Sequence, residues 1–167
     1  MQPADRSDAA RRGVSPGLHV LFAQGVLEQM RVRAEGAYPE ECCGFLIGSR
    51  DGGTVQVKRE LPCPNAVRGP DRARRFVMHP KAVLNVMKAL RDRDEGVVGF
   101  YHSHPDADAT LSATDLTFVG LWPETVWLVV PVGEDGAGAE RAWWLSAAGP
   151  EAPLQELLLA DSGLVRA

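Results

Sequence analysis

Buried strands are predicted wherever apolar residues follow one another without a break, because a strand covered on both faces needs no polar positions. Three such runs span residues 42–47, 97–101 and 125–132. A fourth stretch, from Thr54 to Leu61, alternates apolar with polar residues and follows the turn signal Asp51-Gly52-Gly53. That combination predicts one strand of a hairpin, with one face exposed to water. Shorter strands are predicted at 18–20, 76–78 and 139–146.

Helices are predicted where apolar residues recur every three or four positions. The first runs from Leu21 to Ala34, with Gly36 as its stop signal. Its apolar positions are Phe22, Val26, Leu27, Met30 and Ala34. A second helix is predicted from Lys81 to Arg93, after His79-Pro80, since proline is tolerated in a first helical turn. The third runs from Ser112 or Ala113 to about Leu121, and Ser112 suits its N-cap.

The order of these elements predicts the fold class. Strands and helices alternate with hairpins between them, which indicates a single α/β domain built as a mixed, layered sheet. Residues 1–17 are polar and charged with few apolar positions, so we expect a flexible N-terminal tail followed by one domain over 18–167. Residues 154–159 fit either a last strand or a short helix.

Composition narrows the function classes. The hydrophobic fraction of 45% and charged fraction of 24% are ordinary for a soluble globular protein. A net charge of −4 argues against chain-wide affinity for nucleic acid or an anionic membrane. The arginines Arg68, Arg72, Arg74 and Arg75 are interpreted as a solvated loop. No apolar run approaches the roughly 20 residues of a membrane span, and no signal-peptide core is evident, so we predict a cytoplasmic location.

The three cysteines do not predict a disulfide framework. Cys42 and Cys43 are adjacent, Cys63 has no evident partner, and no Cys-x-x-Cys pair exists to form a structural zinc clip. Cys42 and Cys43 lie in an apolar run, which indicates buried, inert thiols rather than a thiol mechanism.

The residues with metal-binding chemistry are concentrated between positions 102 and 115. His102 and His104 lie two apart at the end of a buried run, which we expect to emerge there into a loop. Side chains two apart on an extended segment point the same way. Asp115, in the first turn of the next helix, adds an oxygen. Two imidazoles and a carboxylate predict a catalytic Zn²⁺ site with a fourth position open for water.

Such a site also needs a nearby acid that takes a proton from the water without becoming a ligand. Glu40 and Glu41, directly ahead of a buried strand, are both candidates on the residues alone. Ser112 has three candidate roles: helix cap, oxyanion donor and nucleophile. The nucleophile role is disfavoured, since the nearby histidines are better used as ligands.

These residues resemble the signature of the JAMM (MPN-plus) metalloprotease family. The pattern His-x-His, seven residues, Ser, two residues, Asp is met by His102, His104, Ser112 and Asp115. The motif Pro39-x-Glu41-x-x-Gly44-x-Leu46-x-Gly48 is similar to the family's upstream glutamate motif, and this alignment selects Glu41 over Glu40. The similarity spans roughly Leu18 to Leu145.

The resemblance implies a curved mixed sheet flanked by helices, with cytidine-deaminase-like layering. It also implies residue roles: His102, His104 and Asp115 hold zinc, Glu41 is the general acid/base, and Ser112 stabilises the tetrahedral intermediate. Metal-free MPN scaffold proteins lack these ligands, so their role is not implied.

The compact chain is similar to bacterial stand-alone members, which cleave after the C-terminal Gly-Gly of small ubiquitin-like sulfur carriers. Such a carrier is therefore the expected partner, with cysteine release or carrier maturation as the outcome. An extended Gly-rich tail suits strand addition in a narrow cleft.

Several alternatives stay open. These are a general isopeptidase of ubiquitin-like conjugates, and a non-enzymatic ubiquitin-like-binding module with a structural metal. A zinc deaminase is disfavoured because its Pro-Cys-x-x-Cys element is missing. Exposed strand edges leave a homodimer open.

Overall fold

The computed structural model describes residues 18–146 and 154–159. Within them the chain forms eight strands, three α-helices and one 3-10 helix. In chain order these are β1 (His19–Phe22), α1 (Val26–Ala37), β2 (Cys43–Asp51), β3 (Thr54–Cys63), the 3-10 helix (Gly69–Ala73), α2 (Pro80–Leu90), β4 (Gly96–Pro105), α3 (Ala113–Val119), β5 (Val126–Gly133), β6 (Gly136–Ala137), β7 (Arg141–Leu145) and β8 (Leu154–Leu157). Among the described helices, none is long and apolar enough to cross a membrane.

All eight strands belong to one mixed sheet with the order β1-β3-β2-β4-β5-β7-β8, and β6 pairs with β5. The β1–β3 and β4–β5 pairs are parallel, and the other pairs are antiparallel. This is the single-domain α/β fold with a curved mixed sheet that the sequence predicts. Strand β4 lies near the centre, between β2 and β5, which buries the strand that carries both histidines.

Helix α1 covers one face of the sheet. Its buried side chains are Val26, Leu27, Met30 and Ala34. They join a core with Leu46 of β2, Tyr101 of β4 and Leu128 of β5. Apolar positions at helical spacing along α1 therefore meet alternate residues of three strands, which is how a helix closes one side of a sheet.

The opposite face is covered by α2, α3 and the segment that precedes α2. Its core is rich in aromatic side chains. Phe100 lies 5.0 Å from Trp127 and 5.1 Å from Trp122 between ring centroids, and both pairs are tilted or edge-on. The metal-binding candidates lie at the edge of this core, because His102 follows Phe100 by two positions on β4.

Several predicted elements differ from the observed ones. The first helix begins at Val26 and not at Leu21, since Phe22 extends β1 and pairs with Val57, and Gly25 turns the chain at φ +82°. Residues 76–78 do not form a strand, because Met78 makes only an isolated bridge to Asn65. Strand β4 does not end at Tyr101 but continues to Pro105.

The C-terminal alternative is decided in favour of a strand. Leu154–Leu157 form β8, which pairs antiparallel with β7. The predicted flexible tail over 1–17 lies outside the described residues, and so do 147–153 and 160–167.

A buried polar network ties three elements together behind β4. The Tyr101 hydroxyl donates to Glu60 Oε2 at 2.7 Å, and Arg33 Nε donates to Glu60 Oε1 at 2.6 Å. The Glu60 side chain is only 2% exposed, so the charge-assisted bond from α1 satisfies a carboxylate that water does not reach. The network fixes Tyr101, the residue directly before His102.

Two glycines of the upstream motif are required by close packing. A Cβ on Gly48 would overlap the Gln56 carbonyl oxygen of the neighbouring strand, where the β2–β3 register shifts. A Cβ on Gly44 would overlap the ring of Tyr101. Both positions therefore exclude any larger side chain, and β2 can approach β3 and β4 only with glycine there.

We predict that Gly48→Ala lowers the free energy of unfolding by at least about 2 kcal/mol, because the added methyl must displace backbone of β3. Chemical denaturation monitored by circular dichroism measures the change. Gly36→Ala is the matched control: its Cβ meets no atom within 4 Å, and alanine favours the α1 helix over glycine. Equal stability of the Gly48 variant and wild type would contradict this packing argument.

Candidate active site

His102 and His104 occupy alternate positions of β4, so both imidazoles point to the same face of the sheet. The backbone of His102 pairs with Cys43 of β2 and with Val129 of β5. His102 is 0% exposed and His104 is 8% exposed. The predicted loop position of the two histidines was therefore wrong: both lie on β4, where His102 is paired on both sides and His104 is paired with Pro131 of β5.

Asp115 brings a carboxylate to the same point from α3. Two nitrogens and both oxygens of the carboxylate lie close together: His102 Nε2 and His104 Nε2 are 3.0 Å apart, His104 Nε2 and Asp115 Oδ2 are 3.2 Å apart, and His102 Nε2 and Asp115 Oδ1 are 3.4 Å apart. Within the described part of the chain, these three residues form the group of potential ligand side chains that could hold a metal ion.

The distances fit zinc. Zinc binds imidazole nitrogen and carboxylate oxygen at about 2.0–2.2 Å, which separates the ligand atoms of a tetrahedron by about 3.3 Å. The observed separations of 3.0–3.4 Å lie around that value. With three protein ligands, one corner of the tetrahedron stays open for water or substrate.

The helix cap of α3 orients Asp115. The Ser112 side chain accepts a hydrogen bond from the Asp115 backbone N–H at 3.1 Å, and the Ser112 backbone N–H donates to Asp115 Oδ2 at 2.7 Å. This reciprocal capping box satisfies two amide groups that the first helical turn leaves without partners. The same contacts hold the Asp115 carboxylate toward the histidines.

Each histidine ring is also held from behind. His104 Nδ1 lies 2.8 Å from the Asp108 carbonyl oxygen, which assigns the proton to Nδ1 and leaves the Nε2 lone pair free for a metal. The ring of His102 stacks on Phe76 with centroids 4.5 Å apart. His102 Nδ1 is buried and has no hydrogen-bond partner among the described residues.

The pKa values of His102 and Asp115 are shifted from their ordinary values. Burial lowers the pKa of His102, which favours the neutral imidazole that a metal requires. For Asp115, burial acts to raise the pKa, but hydrogen bonds with His102, His104 and Ser112 outweigh it, and the pKa lies well below its ordinary range. The carboxylate is therefore ionised, as a ligand must be.

Glu41 lies beside this group and is not part of it. The residue is 7% exposed. Burial raises the pKa of its carboxyl to about 7, with the charge of His104 lowering it and that of Asp115 raising it. Glu40, the other candidate, has a side chain that is 44% exposed and pairs with Arg72 at 3.1 Å. The structure thus separates two adjacent acids that the residue pattern left equivalent.

The backbone around Glu41 is fixed from two sides. The Glu41 N–H donates to the Arg72 carbonyl oxygen at 2.7 Å, and Asn65 Nδ2 donates to the Glu41 carbonyl oxygen at 3.2 Å. One residue later, the Cys42 N–H donates to Ser103 Oγ at 2.9 Å, and the Ser103 N–H donates to the Cys42 carbonyl oxygen at 3.0 Å.

Sequence reasoning missed Ser103 and Asn65. Ser103 lies between the two histidines and points to the other face of β4, where it connects the strand of the ligands to the residue after Glu41. Its position between two ligands is the signal that could have identified it. Asn65 sits in an irregular segment, and its pattern carries no such signal.

The other histidines and the cysteines do not join this group. His19 lies at the start of β1 and His79 precedes α2, and both are exposed. All three cysteines are free: Cys43 and Cys63 are buried, and Cys42 is half-buried. Cys43 Sγ donates to the Cys63 carbonyl oxygen at 3.4 Å, which gives Cys63 a partner that the sequence did not predict. Burial raises the pKa of Cys42, which disfavours its thiolate.

We predict that His102→Ala, His104→Ala and Asp115→Asn each weaken zinc binding by at least about 100-fold, because each removes one of three ligands. Metal analysis after dialysis against a competing chelator measures the loss, with about one zinc per wild-type chain expected. His79→Ala is the control and should retain zinc, since His79 lies outside the group. A ligand variant that holds zinc as tightly as wild type would exclude that residue from the site.

The sequence of this chain is similar to a known domain family and to several named proteins. Residues 23–146 match the family described as prokaryotic homologs of the JAB domain. A desampylase of Haloferax volcanii is 33% identical over 71% of this chain and 80% of its own length. A probable TtuB-protein conjugate cleaving protease of Thermus thermophilus is 32% identical over 78% and 84%. A CysO-cysteine peptidase of Mycobacterium tuberculosis is 34% identical over 58% and 63%.

Solved structures agree with the fold. A protein of Desulfitobacterium hafniense superposes with a TM-score of 0.67 at 26% identity, covering 85% of this chain and 93% of its own. A protein of Salinibacter ruber gives a TM-score of 0.55 at 34% identity, covering 80% and 95%. With the family match over residues 23–146, these similarities lead to one conclusion: the chain belongs to the prokaryotic JAB-domain, or JAMM-type, family.

Proposed function

We propose that this protein is a zinc metallopeptidase that hydrolyses the peptide or isopeptide bond after the C-terminal Gly-Gly of a small ubiquitin-like sulfur-carrier protein. The observation that carries the proposal is the buried Glu41 carboxyl beside three residues whose ligand atoms lie 3.0–3.4 Å apart. A site with a free acid next to three ligands suits hydrolysis better than a purely structural metal, which uses four protein ligands.

His102, His104 and Asp115 are the residues that would hold the zinc ion. When bound, zinc supplies a Lewis acid that lowers the pKa of water and polarises a carbonyl group. The two strand-held imidazoles and the helix-held carboxylate fix the position of this charge. Their own hydrogen bonds, to the Asp108 carbonyl oxygen and the Ser112 N–H, keep the ligand atoms aimed at one point.

Glu41 is proposed to move the proton. Its carboxyl is buried, which raises its pKa to about 7, so it can both accept and release a proton near neutral pH. It would take a proton from the attacking water and deliver it to the leaving amine. The hydrogen bonds of the Glu41 backbone to Arg72 and Asn65 hold it in place for both transfers.

Ser112 is proposed to donate to the oxyanion. Its Oγ accepts the Asp115 N–H, which leaves the hydroxyl proton free for another partner. A nucleophilic role has no support in this geometry, since His102 and His104 are directed to the ligand group and to each other. The helix cap and the oxyanion donor can therefore be the same side chain.

The substrate is proposed from two sources. The first is the relatives: one is named for cleaving TtuB–protein conjugates and another for acting on CysO–cysteine. The second is an open groove of about 370 Å³ beside His104, lined by residues 106–108, 131–133, 136 and 138, three of which are glycine. The glycines on one side of this groove leave room for an extended Gly-Gly tail. We further propose that the reaction is cytoplasmic, in keeping with three free cysteines.

A second candidate is a general isopeptidase of ubiquitin-like conjugates. It is favoured by the Thermus relative, whose name refers to a protein conjugate rather than to cysteine. Mass spectrometry after incubation with a carrier–cysteine adduct and with a carrier–lysine conjugate separates the two, because only the bond that is a substrate yields the free carrier tail.

We predict that Glu41→Gln retains one zinc per chain and loses at least about 100-fold in kcat, since the amide cannot accept the proton. Turnover of a carrier–cysteine adduct followed by mass spectrometry, together with metal analysis, measures both quantities. Glu40→Gln is the matched control and should keep kcat within about twofold, because the Glu40 side chain is largely exposed and removing its pairing with Arg72 costs little. Normal turnover by the Glu41 variant would show that another group moves the proton.

The oxyanion role of Ser112 is tested by Ser112→Gly. Glycine is a tolerated N-cap and costs helix α3 only a few tenths of a kcal/mol, so the fold and the position of Asp115 should be kept. We expect kcat to fall about 100-fold with unchanged zinc content and little change in Tm. A kcat equal to that of wild type would leave the hydroxyl with a capping role only.

A further inference from the structure

Positive charge is concentrated in one segment of the chain. Residues 72–91, called here the basic segment, contain no Asp or Glu. Its cations are Arg72, Arg74, Arg75, Lys81, Lys88 and Arg91. Since the whole chain carries −4 and this segment +6, the remaining residues together carry −10. The segment is therefore a basic stretch within an otherwise acidic chain.

Five of these six cations form no ion pair within the described part of the chain. Among the described residues, the one ion pair of this segment joins Arg72 to Glu40 at 3.1 Å. The other five cations are exposed. The electric field of these five cations therefore extends into solvent, where it attracts a negatively charged partner.

Helix α2 adds apolar area to this surface. The side chains packed on the core are Ala82, Val83, Val86 and Leu90. The opposite side carries Lys81, Leu84, Met87 and Lys88 at helical spacing. Leu84 is 52% exposed, Met87 is 44% exposed, and Val77 just before the helix is 42% exposed. An apolar centre between cations is typical of a binding surface rather than of a purely solvated helix.

The basic segment is in direct contact with the candidate active site. Phe76 stacks on the ligand His102, and the Arg72 carbonyl oxygen accepts the N–H of Glu41. Asn65 donates to the carbonyl oxygens of both Arg75 and Glu41. An apolar cleft of about 210 Å³ opens between the segment and α3. It is lined in part by Phe76, Met78, Val83, Phe118, Leu121 and Trp122.

We propose that the basic segment is the docking surface for the folded body of an acidic ubiquitin-like carrier, whose tail enters the adjacent site. This inference rests on the proposed function and names the surface that selects its substrate. The matching face of the carrier would present apolar side chains surrounded by carboxylates. Attraction at the basic segment and repulsion from the rest of the acidic chain would orient the carrier toward the site before the tail engages.

A protein partner fits better than a nucleic acid or a membrane. Single-stranded nucleic acids bind aromatic side chains on which bases stack, and the large hydrophobic residues exposed in the described ranges are all aliphatic. Interfacial helices bury a wide apolar face that often includes Trp or Phe, whereas the 11-residue α2 exposes Leu84 and Met87 between lysines.

The test separates docking from chemistry by using two substrates and two charge-reversal pairs. The substrates are CysO with a C-terminal cysteine and a short synthetic peptide ending in Gly-Gly-Cys. The variants are Arg75→Glu/Lys88→Glu in the basic segment and Arg50→Glu/Lys58→Glu on exposed positions of β2 and β3. Both pairs change the net charge equally, and neither touches a ligand or Glu41.

We expect the basic-segment pair to raise KM for CysO–cysteine at least about 10-fold with kcat unchanged, and to leave kcat/KM for the short peptide within about twofold. The β2–β3 pair should leave both substrates near wild type. Leu84→Ser/Met87→Ser, made on the exposed face of α2, should also raise KM for CysO–cysteine alone. Equal KM in the basic-segment pair and wild type, or equal losses in both charge-reversal pairs, would overturn the docking proposal.

Binding in the Glu41→Gln background keeps the docking test independent of activity. Fluorescence anisotropy of labelled CysO should give a Kd that rises at least about 10-fold in the basic-segment pair and rises with salt concentration. If such binding is seen without hydrolysis by the parent protein, docking stands and the proposed reaction fails. Binding instead to phosphatidylserine vesicles or to an oligonucleotide, with no affinity for CysO, would overturn the proposal in favour of those partners.

Discussion

The site depends on the extended geometry of β4 as it passes between β2 and β5. Because side chains alternate along a strand, His102 and His104 share one face only while the strand stays regular to Pro105. Pairing with β5 up to Pro105, and with β2 up to His102, supplies that regularity, and full burial prevents the His102 ring from turning to solvent. The metal-binding geometry is therefore a consequence of sheet formation, with both histidines contributed by one continuous strand.

The remaining parts of the site use contacts that also stabilise the fold. The capping box of α3 satisfies the start of a short helix, and it also holds the Asp115 carboxylate toward the histidines. Ser103 pairs with Cys42, which joins the ligand strand to the chain that carries Glu41. Each of these contacts therefore contributes both to the fold and to the position of a functional side chain. Because the same contacts serve both purposes, a small domain can fix the positions of Asp115 and Glu41 without further elements.

Much of this arrangement follows from sequence pattern. The main strands, the alternation around His102 and the cap at Ser112 are local properties, and local spacing predicts them. Boundaries were less predictable, since Phe22 fits an apolar helix position and yet pairs with Val57 in the sheet. The family motif selects Glu41 over Glu40, but the physical reason lies in contacts with Arg72 and Asn65, which are far away along the chain.

The central claim is that His102, His104 and Asp115 hold zinc and leave one position open. X-ray absorption at the zinc edge of the purified protein tests it most directly. We expect four nitrogen or oxygen neighbours at about 2.0–2.2 Å, together with the multiple-scattering signal of two imidazole rings. A zinc–sulfur distance near ~2.3 Å would instead place a cysteine in the first shell and contradict the site described above.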